Sequence, residues 1–456
     1  MARAGVIAAL AALALTGGGS AHAVTPPVKH VWVLMLENEN ADTSFGPQSK
    51  APYLAQTLRS QGAFVPNYYG TGHLSLDNYI SLISGQGPNP VTQADAPTFS
   101  EFLPGAEGPD GQAIGQGAVY PAWVKTVADQ LDAKGMTWAG YMEDMGNSNT
   151  EPKTCRHPAI GAQDQTQQAK VGDQYATRHN PYMYFHSIID NQLKCDARVV
   201  PLDRLPAALA SESATPNYSF ITPSLCHDGH DEPCVDGQPG GLTSANDFLK
   251  TWVPAIMSSA AFRKDGLLIV TFDEAGSSDA TACCGEKTSP NTPNNGGPTP
   301  GSGGGRVGAV LLSRFIKPGT ETAQEYNHYS QLRSVEDLFG LDHLGYAGQD
   351  GLRPFGNDIY TNSSAPPVKK PPVPKISAVP KRCTTGSFLA RVSVTGAGVS
   401  QLAAAVDGKR VKASAKTSFS VRVRCASLKI GVHRLTASAT GAGGSAHRVI
   451  HFRRAK

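Results

Sequence analysis

Gly266-Leu267-Leu268-Ile269-Val270-Thr271-Phe272-Asp273-Glu274 is the stretch that decides the fold. It runs apolar and β-branched without a polar break, then delivers two adjacent acids. A strand with no in–out alternation is buried on both faces, which a parallel sheet covered by helices provides. A second stretch of this kind, Val28–Leu36, runs into Glu37-Asn38-Glu39-Asn40. Outward from these two, apolar runs alternate with helical spacings. Met136–Tyr141, Asn217–Thr222 and Val307–Leu312 read as strands. Pro52–Gln61, Asp77–Ser84, Val119–Lys134, Thr243–Met257 (opened by a Thr or Ser cap) and Tyr329–Phe339 read as helices. The fold class is α/β, a mainly parallel doubly wound sheet spanning residues 24–364. Ligands of such sheets gather outside the carboxyl ends of the strands.

Ahead of this body, Arg3, the apolar run Val6–Leu15 and Ala21-His22-Ala23 form a secretory signal pattern, with cleavage expected after Ala23. The location implied is secreted or envelope-associated. Eight cysteines then read as disulfides. Cys226 with Cys234, Cys383 with Cys425 and Cys155 with Cys195 are the natural pairs, while Cys283 and Cys284 either bond each other or take separate partners. No C-x-x-C pair has the spacing of a structural zinc site.

Thr288–Gly305 is dense in Pro, Asn and Gly and reads as a flexible surface loop. Residues 365–381 are rich in Pro and Lys, the composition of a semi-rigid linker. Residues 382–456 show short alternating stretches, such as Phe388–Val394 and Phe419–Val423, that suit a small all-β sandwich of immunoglobulin-like type. The net charge of +3 hides a division. Eighteen of the 40 Lys and Arg, but one of the 37 Asp and Glu, lie from Pro366 onward, which leaves 22 and 36 in the rest. An acidic body thus carries a basic tail. The tail suits an anionic wall polymer or a membrane surface; a merely solvated basic face is the other reading, and nucleic acid is not expected.

The chemistry-bearing residues fall at strand ends and helix starts. Glu37 and Asn38, and again Asp273 and Glu274, stand where carboxylates can hold a divalent cation, whose identity the sequence does not set. Strand ends are also polar simply because the chain turns into water there. Ser75 opens a helical stretch where backbone N–H groups attract anionic oxygens, which suits a nucleophile as well as an ordinary helix cap. No G-x-S-x-G surrounds it. Cys226-His227-Asp228-Gly229-His230-Asp231-Glu232 concentrates two histidines and three acids in one loop, and Asn327-His328-Tyr329-Ser330 opens a late helix.

Taken together, Val33–Asn38 with Ser44-Phe45-Gly46, Thr271-Phe272-Asp273-Glu274, His230-Asp231 after Thr222-Pro223, and His328-Tyr329-Ser330 resemble the bacterial phosphoesterase family of acid phosphatases and phosphatidylcholine-type phospholipases C, related to the alkaline-phosphatase-like superfamily. The likeness covers about Lys29 to Ala347. Ser75-Leu76-Asp77-Asn78-Tyr79 is also similar to the nucleophile segment of nucleotide pyrophosphatases. The resemblance implies a phosphate ester substrate, Ser75 as nucleophile through a phosphoserine, and Asn78 as donor to a phosphoryl oxygen. It implies Glu37, Asn38, Asp273 and Glu274 as cation ligands, with His230, Asp231 and His328 serving substrate or leaving group. Phospholipase-type members continue Glu-Asn-Arg-Ser-Phe-Asp, whereas this chain has Glu37-Asn38-Glu39-Asn40-Ala41-Asp42. After Asp273-Glu274 they carry an aromatic and an Asp-His pair, whereas here Ala275-Gly276-Ser277-Ser278-Asp279 follows. These departures favour a phosphomonoesterase over a phospholipase C. A non-catalytic envelope-binding protein is the reading from another class.

Overall fold

The computed structural model describes residues 26–362, 372–395, 399–441 and 444–455. The expected signal sequence and the first part of the expected linker lie outside them. The body is built on eight strands: β1 (His30–Leu36), β2 (Ala63–Val65), β3 (Trp138–Met142), β4 (Val199–Pro201), β5 (Tyr218–Thr222), β6 (Gly266–Phe272), β7 (Ala309–Ser313) and β8 (Thr320–Glu321). They form one mixed sheet in the order β8-β2-β7-β6-β1-β5-β3-β4. Only β7 runs against the rest, antiparallel to both β6 and β2. Every residue of β1, β5 and β6 is buried, as the near-continuous apolar sequences of β1 and β6 require. The strands β2, β4 and β8, of two or three residues each, are too short to carry a sequence periodicity.

Four helices matter for the site: α1 (Ser75–Ser84), α2 (Val127–Ala133), α3 (Gly241–Ser258) and α4 (His328–Phe339). α2 is shorter than the Val119–Lys134 spacing suggested. Pro121 lies in the preceding segment, and the helix is started by a capping box in which Thr126 and Asp129 exchange side-chain and backbone hydrogen bonds. α3 has no Thr or Ser cap: Gly240, at φ 70°, precedes it, and the Gly240 N–H donates to Ser244. Pro52–Gln61 is helical as expected, but its centre Tyr53–Leu58 is wound as a π-helix. A short parallel ribbon pairs Tyr68–Tyr69 with Tyr326–Asn327. It ties the chain just ahead of α1 to the chain just ahead of α4, so Ser75 and His328 are both introduced from one place. Gly85, at φ 68°, ends α1 in the left-handed conformation that glycine supplies at least cost.

The segment 288–305 is irregular, as expected, but it is not a free surface loop. The His73 N–H donates to Asn295 O, Gly304 N–H to Gly70 O, and Ser289 and Asn295 are buried. Asn and Gly are there to satisfy a packed turn with side-chain amides and close backbone approach. All four disulfides are present: Cys155–Cys195, Cys226–Cys234, Cys283–Cys284 and Cys383–Cys425. No helix among the described residues is long and apolar enough to cross a membrane.

The C-terminal unit has β9 (Val373–Ser377), β10 (Arg382–Cys383), β11 (Ser387–Thr395), β12 (Val399–Val406), β13 (Lys409–Ser414), β14 (Ser418–Arg424), β15 (Gly431–Gly441) and β16 (Gly444–Arg454). Two sheets, β9-β11-β14 and β10-β16-β15-β12-β13, share one apolar core that includes Ile376, Val392, Val421, Leu402, Leu435 and Phe452. β9 lies inside the stretch read as linker. Its Pro374 and Ile376 point inward while Val373, Lys375 and Ser377 stay exposed, so Pro and Lys here mark an edge strand.

Candidate active site

The two deciding strands end side by side. β1 and β6 are parallel neighbours with Leu36 opposite Phe272, so Glu37 and Asp273 leave the sheet at one level. The Asp273 N–H donates to Leu36 O at 2.9 Å. Ser75, the first residue of α1, faces this edge. Its hydroxyl donates to Glu37 Oε2 at 2.7 Å, and Tyr79, one turn later on the same helix face, donates to Glu37 Oε1 at 2.5 Å. Glu37 is fully buried.

Asn38 sits at φ 58°, which turns it back onto β6. Its N–H donates to Asp273 Oδ1 at 3.0 Å and its Nδ2 to Glu274 Oε1 at 2.8 Å. The other oxygen of Glu274 lies against His73 Nδ1, whose ring is held by a 2.9 Å contact from Nε2 to Asp279 O. Gly70 lets the loop before α1 pass this point, since a Cβ there would lie 2.6 Å from Asp273 O.

Asn78 is bonded to the loop before α1. Its Oδ1 accepts from Thr71 N at 2.7 Å and Gly72 N at 3.2 Å, and its Nδ2 donates to Gly72 O at 2.9 Å and Leu74 O at 3.0 Å. Those bonds occupy the amide that the resemblance assigned to a phosphoryl oxygen. His328 is likewise set back. Fully buried, its Nε2 donates to the backbone oxygen of Asp273 at 2.5 Å and its Nδ1 lies 3.0 Å from the Tyr68 hydroxyl. Burial pushes its pKa down to about 4, so the ring is neutral and serves Asp273. His230 differs. It is partly exposed, its Nδ1 meets Asp231 Oδ1 at 2.8 Å, and that hydrogen bond holds its pKa above the usual imidazole range.

The structure adds residues that the sequence did not single out. His179 is buried with its ring stacked on Tyr79, centroids 5.3 Å apart. Its Nε2 lies 3.5 Å from Glu37 Oε2 and its Nδ1 3.4 Å from Asp228 Oδ2. Neither nitrogen has a hydrogen-bond partner, nor has Asp228 Oδ2. Arg178 Nε lies 3.5 Å from Asp95 Oδ2, and Asp95 Oδ1 accepts from Leu76 N at 3.0 Å, capping α1 from outside. The one local signal was the helix-breaking Arg178-His179-Asn180-Pro181, a turn that carries two ionisable side chains together.

Burial dominates the electrostatics of the cluster. Burial, reinforced by Asp273 and Asp228, holds the Glu37 carboxyl well above the usual range. Burial pushes Asp273 up to about 6 and Asp228 up to about 7. Burial with Arg178 and His230 nearby keeps His179 neutral. Several carboxylates in one dry space ionise together only with a cation among them. The donor atoms fit one: Asn38 Oδ1 and Asp273 Oδ2 are buried oxygens with no hydrogen-bond partner, the chemistry of a hard-cation site.

Residues 47–342 match the Phosphoesterase family: the chain belongs to it. It is 26% identical to a probable acid phosphatase of Kluyveromyces lactis over 70% of this chain and 59% of that protein. It is 25% identical to an acid phosphatase of Aspergillus fumigatus over 63% and 51%. It is 23% identical to a phosphatidylinositol-3-phosphatase of Mycobacterium tuberculosis over 72% and 83%. The chain thus spans between half and three fifths of the length of those two fungal phosphatases. Among solved structures, a phosphonate monoester hydrolase of Silicibacter pomeroyi aligns over 92% of this chain and 88% of its own at 9% identity and a TM-score of 0.36. Ps i-CgsB in complex with k-i-k-neocarrahexaose aligns over 81% and 84% at 12% and 0.42. Scores this low carry no argument here.

Proposed function

We propose that this protein is a secreted, metal-dependent phosphomonoesterase of acid-phosphatase type, acting through a phosphoserine on Ser75. The observation that carries the reading is the Ser75 hydroxyl donated to buried Glu37, beside the unpartnered oxygens of Asn38 and Asp273. Glu37, Asn38, Asp273 and Glu274 would hold the divalent cation. Bound there, it neutralises phosphoryl charge and favours the serine alkoxide.

The chain's own residues do the rest. Glu37 takes the Ser75 proton along the hydrogen bond already made. Ser75 Oγ bonds to phosphorus while the bond from phosphorus to the ester oxygen breaks. His230, kept protonated by Asp231, gives its proton to the departing oxygen. Water then attacks the phosphoserine, with His230 as base, and Ser75 regains its proton as phosphate leaves. His179, neutral and unpartnered, is a donor for a phosphoryl oxygen. Asn78 and His328 act from behind, the first by bracing the loop before Ser75 and the second by fixing Asp273. The body is of the alkaline-phosphatase-like type on this reading, and the C-terminal unit is an immunoglobulin-like module serving an anionic envelope partner.

The test is release of p-nitrophenol from its phosphate, run beside the bis-ester and phospholipid vesicles, with and without chelator. Phosphomonoester turnover that chelation abolishes supports the reading. Preference for phospholipid head groups would move the protein to phospholipase C. No turnover with any divalent ion would leave the non-catalytic reading. Ser75→Ala is expected to cost at least about a thousandfold while leaving the fold intact; undiminished turnover would remove Ser75 from its role.

A further inference from the structure

The outer face of the three-stranded sheet carries its cations in a line. Along β14, Arg422 and Arg424 point outward while Val421 and Val423 point into the core. Arg391 of β11 stands opposite Ser420, one pleat repeat along from Arg422. Lys375 of β9 stands opposite Ser393, which is itself opposite Ser418, one repeat further. The four therefore step diagonally across the sheet, Arg424 to Arg422 to Arg391 to Lys375. Two residues along a strand, or two residues and one strand across, give steps of about 7–8 Å. All four are exposed. Among the described residues none has a carboxylate partner, and the unit's single acid, Asp407, is held by His433 and the Arg434 N–H in the other sheet.

We infer that this diagonal is a binding track for a linear polyanion whose charges recur at a similar spacing, a phosphodiester-linked polyol chain. Four unpaired cations in one row favour a partner whose charges also lie in a row. Three are arginines, whose forks match phosphate oxygens. A bilayer is the poorer fit. Membrane-surface faces pair cations with aromatic or extensive apolar surface, whereas this face has no aromatic and only Leu389 and Val373 as exposed large apolar residues. The inference does not depend on the catalytic reading, because the track is remote in sequence from every residue of the site and is tested by binding alone.

The experiment titrates the full chain with poly(glycerol phosphate) across a salt series. One variant carries K375Q, R391Q, R422Q and R424Q. A charge-matched control carries K409Q, R410Q, K416Q and K429Q, also exposed. Four phosphate contacts predict a slope of log affinity against log salt near roughly −3. The track variant is expected to lose at least about tenfold at low salt and most of that slope, the control about twofold or less. Arg422→Glu alone, a single exposed change, should reproduce a large part of the loss. Equal losses in variant and control would reduce the track to net charge. Absence of wild-type binding at low salt would overturn it. Tighter binding to anionic vesicles than to the polymer, with the same residues required, would give the face to membranes.

Discussion

The strand-end site and the outer face of the C-terminal sheet handle charge in opposite ways. At the site, Glu37, Asp228 and Asp273 are fully buried and face one another with Arg178 as the nearest fixed cation. On the sheet face, Lys375, Arg391, Arg422 and Arg424 stand in water with no acid beside them. Water screens the second set, so leaving it unpaired costs the fold almost nothing. The first set is screened by nothing and is tolerable only when protonated or when a cation joins it. The lesson is that unpaired charge means different things by location: buried, it must be protonated or neutralised; exposed, it costs little and stays open to an anionic partner.

The comparison is broken most easily at Asp273. Asp273→Asn is expected to cost about a thousandfold in turnover or more. Without divalent cation the same variant should melt above the wild type, because one buried charge is gone; with cation the order should reverse. A variant less stable than wild type under both conditions would mean that Asp273 is held by ordinary hydrogen bonds and no cation. Next in size, His230→Gln should lose about a hundredfold with alkyl phosphates and much less with p-nitrophenyl phosphate, whose leaving group needs no proton. His328→Gln should show no such dependence on leaving group, its cost falling equally on both substrates and on stability. A leaving-group effect at His328 would exchange the two roles.

A smaller effect belongs to Glu336 of α4. It is buried, its pKa is pushed up to about 9 by burial, and Oε2 has no partner. The folded protein therefore keeps it protonated while the unfolded chain ionises it above its ordinary value, so its contribution to stability falls as pH rises from about 5 to 9. Glu336→Gln should remove that slope and raise stability by roughly 2 kcal/mol at pH 8; a melting curve that keeps the same pH dependence would refute the assignment. Smallest of all, the four track substitutions should change the melting temperature by about a degree and turnover of small esters not at all, since exposed cations contribute under about 0.5 kcal/mol each.

Much of this was legible because it rests on local pattern. The apolar runs of β1 and β6, the acids that follow them, the split of charge at Pro366 and the close pair Cys226–Cys234 are all properties of residue order along the chain. What escaped was set by company. Asn78 has the right spacing from Ser75, yet its amide is spent on Thr71, Gly72 and Leu74. His328 opens a helix as expected, yet packing turns it behind Asp273. His179 sits in a stretch with no apolar period, marked only by the turn at Pro181, yet the fold brings it against Glu37 and Asp228. Val373–Ser377 looked like linker because composition alone does not show which residues of an edge strand face the core.

By itself, the sequence determined the class of fold, the acids that follow its two most apolar strands and the division into acidic body and basic tail, because strand burial and net charge follow from residue type and order. Only the tertiary structure decided which polar atoms remain without partners. That is a property of three-dimensional neighbours: Asn38 and Asn78 offer the same amide, and the difference between them is that the loop before α1 satisfies one and leaves an oxygen of the other bare.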